Sequence, residues 1–232
     1  RSAVSTSLPL VLSQVSGAMR SAHSMSSALW RVRNGRASAP VAFDGKAAEA
    51  LLAFEQSLHL RPHAVTKFNI ALCEQALGRY ARARDIFRQA LADSAKGGDQ
   101  LGAKVKDAGE AIENIERLLV HVAVEVTPAE AAITVDDRPL QVADARADEP
   151  VLVAGVLAPG PGSPPPGGRF ELVVDPGEHA FALSRKGFTD TVVRRFSPGE
   201  RGRLELRLKL PATIKVRAVP PGAIVAVDGV NV

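Results

Sequence analysis

The sequence is poor in the residue types on which several classes of protein depend. Among 232 residues there are one cysteine, one tryptophan and one tyrosine, and aromatic residues make up 4%. The single cysteine, Cys73, excludes an intrachain disulfide framework and a thiolate zinc cluster. So few aromatic rings disfavour a stacking platform for single-stranded nucleic acid. No uncharged apolar run approaches the ~18 residues that a membrane span needs, so we expect none.

Acidic residues are missing from the N-terminal part of the chain. The first is Asp44, and the five basic residues before it are all arginines. The whole chain carries a net charge of +4, so the part after residue 43 has slightly more acidic than basic residues. A nucleic-acid-binding domain would carry its basic excess on a folded face. We therefore predict no nucleic-acid partner.

Residues 1–43 are interpreted as a disordered or targeting tail. They contain ten serines and no sustained hydrophobic periodicity. The short apolar run at 8–12, followed by small residues, is similar to a signal peptide with its cleavage site. An organelle transit peptide and a truncated chain end are the alternatives, and the composition does not separate them.

Residues 44–119 repeat their apolar side chains at steps of three and four, which is typical of amphipathic helices. Proline and glycine residues divide this region into four predicted helices. The first runs from Asp44 and ends before Pro62, and the second ends at Gly78. The third ends at the Gly97-Gly98 pair, and the fourth covers 99–119.

Part of the helical region is repeated. Gly45, Ala50, Phe54 and Leu58 recur 33 residues later as Gly78, Ala83, Phe87 and Leu91. The period and pattern resemble the tetratricopeptide repeat, a helix-turn-helix unit of about 34 residues. The resemblance implies that Ala50 and Ala83 let helices approach each other, while Phe54 and Phe87 fill the gap between neighbouring repeats. Only about one and a half units are present, fewer than the ~3 that a solenoid needs, so we expect this module to lean on another part of the chain.

Tetratricopeptide arrays bind extended peptides on a concave face, and the resemblance implies a protein or peptide partner here. Aligned with that repeat, the groove residues would all lie on the second helix: Val65, Phe68, Asn69, Leu72 and Gln75. Packing against the fourth helix explains Phe68 and Leu72 equally well. Both interpretations remain open from the sequence.

After Leu119 apolar and polar residues alternate, as they do in β-strands. Strands are predicted at 120–126, 170–174, 179–183, 188–196 and 204–210, with turn pairs such as Pro176-Gly177 and Lys186-Gly187 between them. We predict an antiparallel β-sandwich over 120–210. The proline- and glycine-rich segment 159–168 is expected to be an exposed, linker-like insertion.

The β region also contains a repeated motif. The string PPGAIVAVDG at 220–229 resembles the signature of the PEGA domain, and PAEAAITVDD at 128–137 is a weaker copy of it. The strings VDPGEHAFAL at 174–183, KGF at 186–188 and SPGE at 197–200 are similar to that family as well. The turn positions of the motif are Pro128, Asp136, Pro220, Gly222, Asp228 and Gly229.

These turn residues have mechanical roles. Pro128 and Pro220 are expected to bend the chain between strands, and Asp228-Gly229 suits a two-residue hairpin that needs positive φ. In the first copy Asp137 stands where the second has a glycine, which makes the same tight turn harder to form.

The PEGA resemblance implies a prealbumin-like β-sandwich without known catalytic residues. Helical repeats followed by PEGA domains resemble an arrangement common in predicted envelope and secreted proteins of bacteria, especially myxobacteria and their relatives. The expected fold class is α+β and multidomain. Its parts are the tail 1–43, a tetratricopeptide-like module 44–119, a PEGA-like sandwich 120–210 and the truncated start of a second copy at 211–232.

Few residues suggest reactive chemistry. His59 and His63 have the spacing of a metal pair, but Pro62 ends the helix between them and no glutamate follows His59. Cys73 is expected to be a buried, inert thiol. Asp136, Asp137 and Asp228 are explained by turn chemistry. We predict no catalytic residue, no metal and no cofactor.

The sequence therefore predicts a non-enzymatic interaction or scaffold protein of the bacterial periplasm or cell envelope, with a cell-wall or glycan contact as a further candidate. One alternative is a carbohydrate-binding accessory module, although Trp30 and Tyr80 both lie outside the predicted sandwich. Another is the sensory or interaction tail of a larger signalling protein.

Overall fold

The computed structural model describes residues 41–97, 101–144, 149–209, 226–227 and 230–231. Within these ranges four helices precede the strands, which gives an α+β architecture. The signal-like stretch lies outside the described residues. So do four turn positions of the second PEGA-like copy, Pro220, Gly222, Asp228 and Gly229.

The helices are separated at the predicted proline and glycine residues. They are α1 (Val41–Leu60), α2 (Ala64–Ala76), α3 (Tyr80–Ala95) and α4 (Lys104–Leu118), together called the helical stack. α1 ends ahead of Pro62, and α2 ends ahead of Gly78, which has φ of +76°. The predicted start of the fourth helix at 99 is wrong, because Gly102 has φ of +57° and a right-handed helix cannot pass through that conformation.

The repeated small and aromatic positions lie inside the helical stack. Ala50 and Phe54 pack with Ile70 of α2, which joins α1 to α2. Phe87 is fully buried, and its ring meets that of Phe68 edge-on at 5.5 Å. Ala83 is fully buried as well, so neighbouring helices can lie close together.

The β region forms two sheets, and its description as antiparallel is wrong for one of them. Sheet 1 has the order β4-β5-β6-β1-β9, in which β5 runs parallel to β6 and β1 parallel to β9. Its strands are β1 (Val120–Thr127), β4 (Gln141–Asp144), β5 (Val151–Val153), β6 (Arg169–Val174) and β9 (Arg201–Arg207). The chain leaves sheet 2 at its edge and re-enters sheet 1 beside β1, which fixes the parallel direction of β9.

Sheet 2 is antiparallel throughout, with the order β3-β2-β7-β8. Its strands are β2 (Ala132–Val135), β3 (Arg138–Pro139), β7 (Gly177–Arg185) and β8 (Phe188–Phe196). A separate pair, β10 (Ala226–Val227) and β11 (Val230–Asn231), lies near the end of the chain. The short strands β2, β3, β4 and β5 were not predicted, because two to four residues are too few to show a period.

The inward faces of the two sheets form the main core. Val122, Leu172 and Leu206 of sheet 1 join Phe181 and Leu183 of sheet 2 in one buried cluster. Alternate residues of each strand supply this core, as expected for a two-layer sandwich.

The helical stack covers the outer face of sheet 1 at β5 and β6. Val153 of β5 and Val173 of β6 are paired in register and belong to the same buried cluster as Phe87 and Ile115 of the helices. The expectation that the short helical module leans on another part of the chain is thus confirmed, because sheet 1 is buried on both faces here.

The segment 159–168 is largely exposed, as its composition predicted, but it is anchored to sheet 2. The N–H of Ile133 donates to the carbonyl of Ser163 at 3.2 Å, so the segment continues the edge of sheet 2 beyond the short β3. Gly162 approaches the Ile133 carbonyl so closely that an added Cβ would lie 2.3 Å from the oxygen. Glycine is needed here for close backbone approach and not for mobility.

Candidate functional site

A cleft of about 240 Å³ opens where the helical stack meets the sandwich. Three turns that are distant in the sequence line it. Its polar residues are Arg79 and Arg82 after α2, Asp136 and Arg138 around the β2–β3 turn, and Asp175, Glu178 and His179 around the β6–β7 turn. Since histidine and carboxylates converge here, it is the strongest candidate site in the described part of the chain.

The β2–β3 turn places Asp136 at one wall of the cleft. Asp136 and Asp137 both adopt left-handed conformations, with φ of 52° and 60°, and Val135 pairs with Arg138 across the turn. Aspartate tolerates this conformation better than most residues, so the tight turn forms without the glycine of the second copy. The Asp136 carboxylate also accepts from the Ala180 N–H at 2.9 Å, a bond that turn chemistry alone did not predict.

His179 joins two of the turns. Its Nδ1 lies 2.6 Å from Oδ2 of Asp136, and its Nε2 lies 2.9 Å from the carbonyl oxygen of Asp175. A general base needs a ring nitrogen that can reach the substrate proton. Both nitrogens of His179 face oxygen atoms of the protein, so the ring holds the two turns together. Neither nitrogen is left to bond to a molecule in the cleft.

Asp175 caps a helix from the opposite layer. Its Oδ1 accepts from the N–H of Ala81 in the first turn of α3 at 2.7 Å, although the two residues are 94 positions apart. The local N-cap residue, Arg79, makes no side-chain cap hydrogen bond. The exposed N–H groups of a helix start need an acceptor, and the sandwich supplies it.

The surroundings of Asp175 oppose its ionisation. Burial raises the pKa of the Asp175 carboxyl to about 6, while the Ala81 and Tyr80 N–H groups, His179 and Arg84 act in the opposite direction. Loss of hydration therefore outweighs the favourable contacts of the charged form.

Two of the three arginines of the cleft are held by carboxylates of the helices. Glu74 has a fully buried side chain, and its Oε2 accepts from Arg79 at 3.2 Å. Nε of Arg82 lies 3.0 Å from Oε1 of Glu74, within ion-pair distance but without hydrogen-bond geometry. Arg82 also reaches Glu55 of α1 at 3.3 Å. These two cations therefore neutralise protein carboxylates and do not form a vacant anion site.

None of the predicted groove residues on α2 lines this cleft. Phe68 is 3% exposed, and the ammonium group of Lys104 lies 5.0 Å from the centre of its ring. Val65 and Leu72 pack at the edge of the same cluster, whereas Asn69 and Gln75 are half-buried. The ring of Phe68 serves the core, and the groove itself stays a prediction.

The other residues considered as candidate sites from the sequence have structural roles. Cys73 is buried, and burial raises the pKa of its thiol to about 11, with the nearby Glu74 charge adding to the effect. His63 accepts from the Val65 N–H at 3.1 Å as the N-cap of α2. Pro128 lies between β1 and β2, where its carbonyl accepts from the Ala131 N–H at 3.0 Å.

The described residues contain no group of three or more histidine, cysteine, aspartate or glutamate side chains arranged to hold a metal ion. None of the helices in these ranges is both long and apolar enough to cross a bilayer.

Sequence reasoning missed Asp175 and His179 as members of a site. One signal was available: α3 begins without serine, threonine, aspartate or asparagine at its N-cap, which indicates an acceptor from elsewhere. Comparison with protein-family models gives no match to the chain, and comparison with curated proteins gives none either. The functional interpretation therefore depends on the geometry and on the motifs of this sequence.

Proposed function

We propose that this chain is a non-enzymatic interaction and scaffold protein of the bacterial cell envelope, in which a tetratricopeptide-like helical stack is carried by a PEGA-like β-sandwich. The observation that carries the proposal is the use of the cleft's polar groups. Asp136, Asp175 and His179 bond to one another's turns or to the start of α3. They join two layers, which suits a rigid support more than a reaction centre.

The shared apolar core supports the same function. Val153 and Val173 extend the helical cluster into the sandwich. A force on the helices, or on a partner bound to them, would therefore be transmitted to the β region. The envelope location is proposed from the PEGA-like strings at 128–137 and 220–229. The protein or peptide partner is proposed from the repeat pattern around Ala50 and Phe54.

The test is capture of a partner by the full chain from an envelope extract, with chemical cross-linking and mass spectrometry. Asn69→Ala/Gln75→Ala alters the predicted groove without disturbing its buried ring. Lys46→Ala/Glu49→Ala alters two exposed residues of α1 and is the matched control. The proposal expects one defined partner, retained by the control variant and reduced by the groove variant.

A defined outcome would also overturn the proposal. Failure to capture a partner, together with turnover of a substrate panel that disappears in His179→Asn, would identify an enzyme and overturn the proposal. Fractionation of cells that express the native gene tests the location separately. Recovery of the protein in the cytoplasmic fraction alone would contradict the envelope assignment.

A further inference from the structure

The two edges of sheet 2 differ in the described part of the chain. On one side Ser163 covers the edge next to β2. On the other side lies β8, nine residues from Phe188 to Phe196, which pairs with β7 alone among the described strands. An uncovered edge strand of this length is a template for pairing with another strand.

The hairpin geometry shows which main-chain groups of β8 face outward. A two-residue turn, Lys186-Gly187 with φ of 50° and 84°, closes the pair Arg185 and Phe188. The closing pair of such a hairpin is hydrogen-bonded, and bonding then alternates along the strand. Even-numbered residues of β8 therefore bond to β7, and the N–H and C=O groups of 189, 191, 193 and 195 point away from the sheet.

One outward carbonyl is bonded by a side chain and not by a strand. The Arg194 guanidinium donates to the carbonyl oxygen of Val193 at 3.2 Å. Val193 itself is 52% exposed, and Phe188 at the end of the strand is 45% exposed. Both polar and apolar groups along this edge would gain from a pairing strand.

The charges of β8 are complementary to those of a second, antiparallel β8. If a twofold axis passes through Val192, Asp190 lies opposite Arg194 of the second copy, and this pair occurs twice. Neither side chain has an oppositely charged partner among the described residues. Charges on an edge strand ordinarily discourage pairing, but this order of acid and base favours pairing of the strand with itself.

Other registers lose this complementarity. An axis through Thr191 places Asp190 opposite Val192, and an axis through Val193 places it opposite Phe196. An axis between two residues would oppose an outward-bonding residue to an inward-bonding one, which an antiparallel ladder does not permit. Bonding parity therefore requires the axis to pass through a residue, and the charges select Val192.

We propose that two copies of this chain pair through β8, antiparallel about a twofold axis at Val192, and so join their four-stranded sheets into one sheet of eight strands. The outward groups of 189, 191, 193 and 195 would form ~8 main-chain hydrogen bonds between the copies. A single strand edge is small beside the ~1,200 Å² of a stable interface. The dimer is therefore concentration-dependent, and it does not depend on the scaffold function proposed above.

The first test uses charge reversal in the full chain, with sedimentation velocity from ~5 to ~500 µM, the range suited to small interfaces. Asp190→Arg and Arg194→Asp should each weaken dimerisation by at least ~10-fold, because each creates two like-charge pairs. The double variant D190R/R194D restores opposite charges and should recover the dimer. Arg203→Asp, an exposed residue of β9, makes the same charge change elsewhere and should have no effect.

The second test fixes the register by disulfide trapping in a Cys73→Ala background. Only residue 192 lies opposite itself, at the ~4.5 Å Cα separation of a non-hydrogen-bonded pair, which a disulfide can bridge. Residues 191 and 193 lie ~7–8 Å from their own copies, too far for a bond. Val192→Cys should therefore give a covalent dimer on oxidation, while Thr191→Cys and Val193→Cys should not.

The proposal is overturned by a wild-type chain that stays monomeric throughout that range, or by cross-linking through 191 or 193 as efficient as through 192. Weakening by Arg203→Asp would overturn it too, because that result would place the interface on sheet 1. Circular dichroism of each variant ensures that a lost dimer reflects the edge and not an unfolded monomer.

Discussion

Replacing Asp175 by asparagine should remove a pH dependence that is built into the junction of helices and sandwich. Asparagine keeps an oxygen that can accept from the Ala81 N–H but cannot ionise. The comparison of the two proteins therefore isolates the cost of the buried charge from the value of the helix cap.

The sign and size follow from the pKa of Asp175. Burial raises it from 3.8 to about 6, so between these values the folded state binds more protons than the unfolded chain. Stability from this group is fully present below pH 3.8 and falls as pH rises through about 6. At ~1.4 kcal/mol per pKa unit, the loss amounts to about 3 kcal/mol by pH 7.

The assay is urea denaturation of wild type and Asp175→Asn at intervals from pH 3.5 to 7.5, followed by circular dichroism. The other side chains of the cleft are the same in both proteins, so the difference between the two curves reports on Asp175. The asparagine variant should gain about 3 kcal/mol relative to wild type across this range. Glu178→Gln removes an exposed carboxylate from the same cleft and controls for net charge.

Two outcomes would refute this reasoning. A flat difference curve would mean that the contacts of the charged carboxylate fully offset the effect of burial on its pKa. A curve of opposite sign would mean that the N–H groups of α3 and the neighbouring cations outweigh burial. Asp175→Ala and Asp175→Asn both lack the ionisable group, so the difference between these two variants isolates the cap, which should contribute ~1 kcal/mol at any pH.

Three further predictions concern packing and reactivity. Phe87→Ala should lower the free energy of unfolding by ~3–5 kcal/mol because the ring is fully buried; a loss below ~1 kcal/mol in urea denaturation would contradict that packing. Gly162→Ala should destabilise the fold, since its Cβ would meet the Ile133 carbonyl at 2.3 Å, whereas Gly160→Ala has its nearest contact at 3.9 Å and should be tolerated in the same thermal melts. Cys73 should react with a thiol reagent only on unfolding, because burial raises its pKa to about 11; rapid labelling of the native protein at pH 8 would refute this.

Local patterns were sufficient for most of the helices and the long strands. The apolar period, Pro62 and Gly78 defined the ends of α1 and α2, because these signals act within a few residues. Strand direction was different. Whether β9 runs parallel or antiparallel to β1 depends on the path between the sheets, and alternation along a strand reads the same in both directions.

The sequence of β6 does indicate that this strand is buried on both faces. Leu172, Val173 and Val174 form a continuous apolar run at the end of β6. Such a run is typical of a strand covered on both sides, and here Val173 faces the helical stack while its neighbours face the sandwich core. The glycines of 159–168 are a related case. Glycine permits close backbone approach as well as mobility, and its presence alone does not distinguish the two.

The candidate site was beyond local reasoning, since its members meet only after folding. Asp175 and Ala81 are 94 residues apart, and no feature near either residue identifies the other. The missing N-cap of α3 shows only that an acceptor is required. It does not show which carboxylate supplies it.

The helical stack and the sandwich depend on each other for packing and for capping. The four helices of the stack leave an apolar surface that packs on sheet 1, and α3 lacks a cap of its own. The sandwich supplies both, through Val153 and Val173 as packing surface and through Asp175 as acceptor. Because burial raises the pKa of this acceptor to about 6, the residue that caps α3 also makes the stability of the junction depend on pH. A measurement at this single residue therefore reports on the attachment of the whole helical stack.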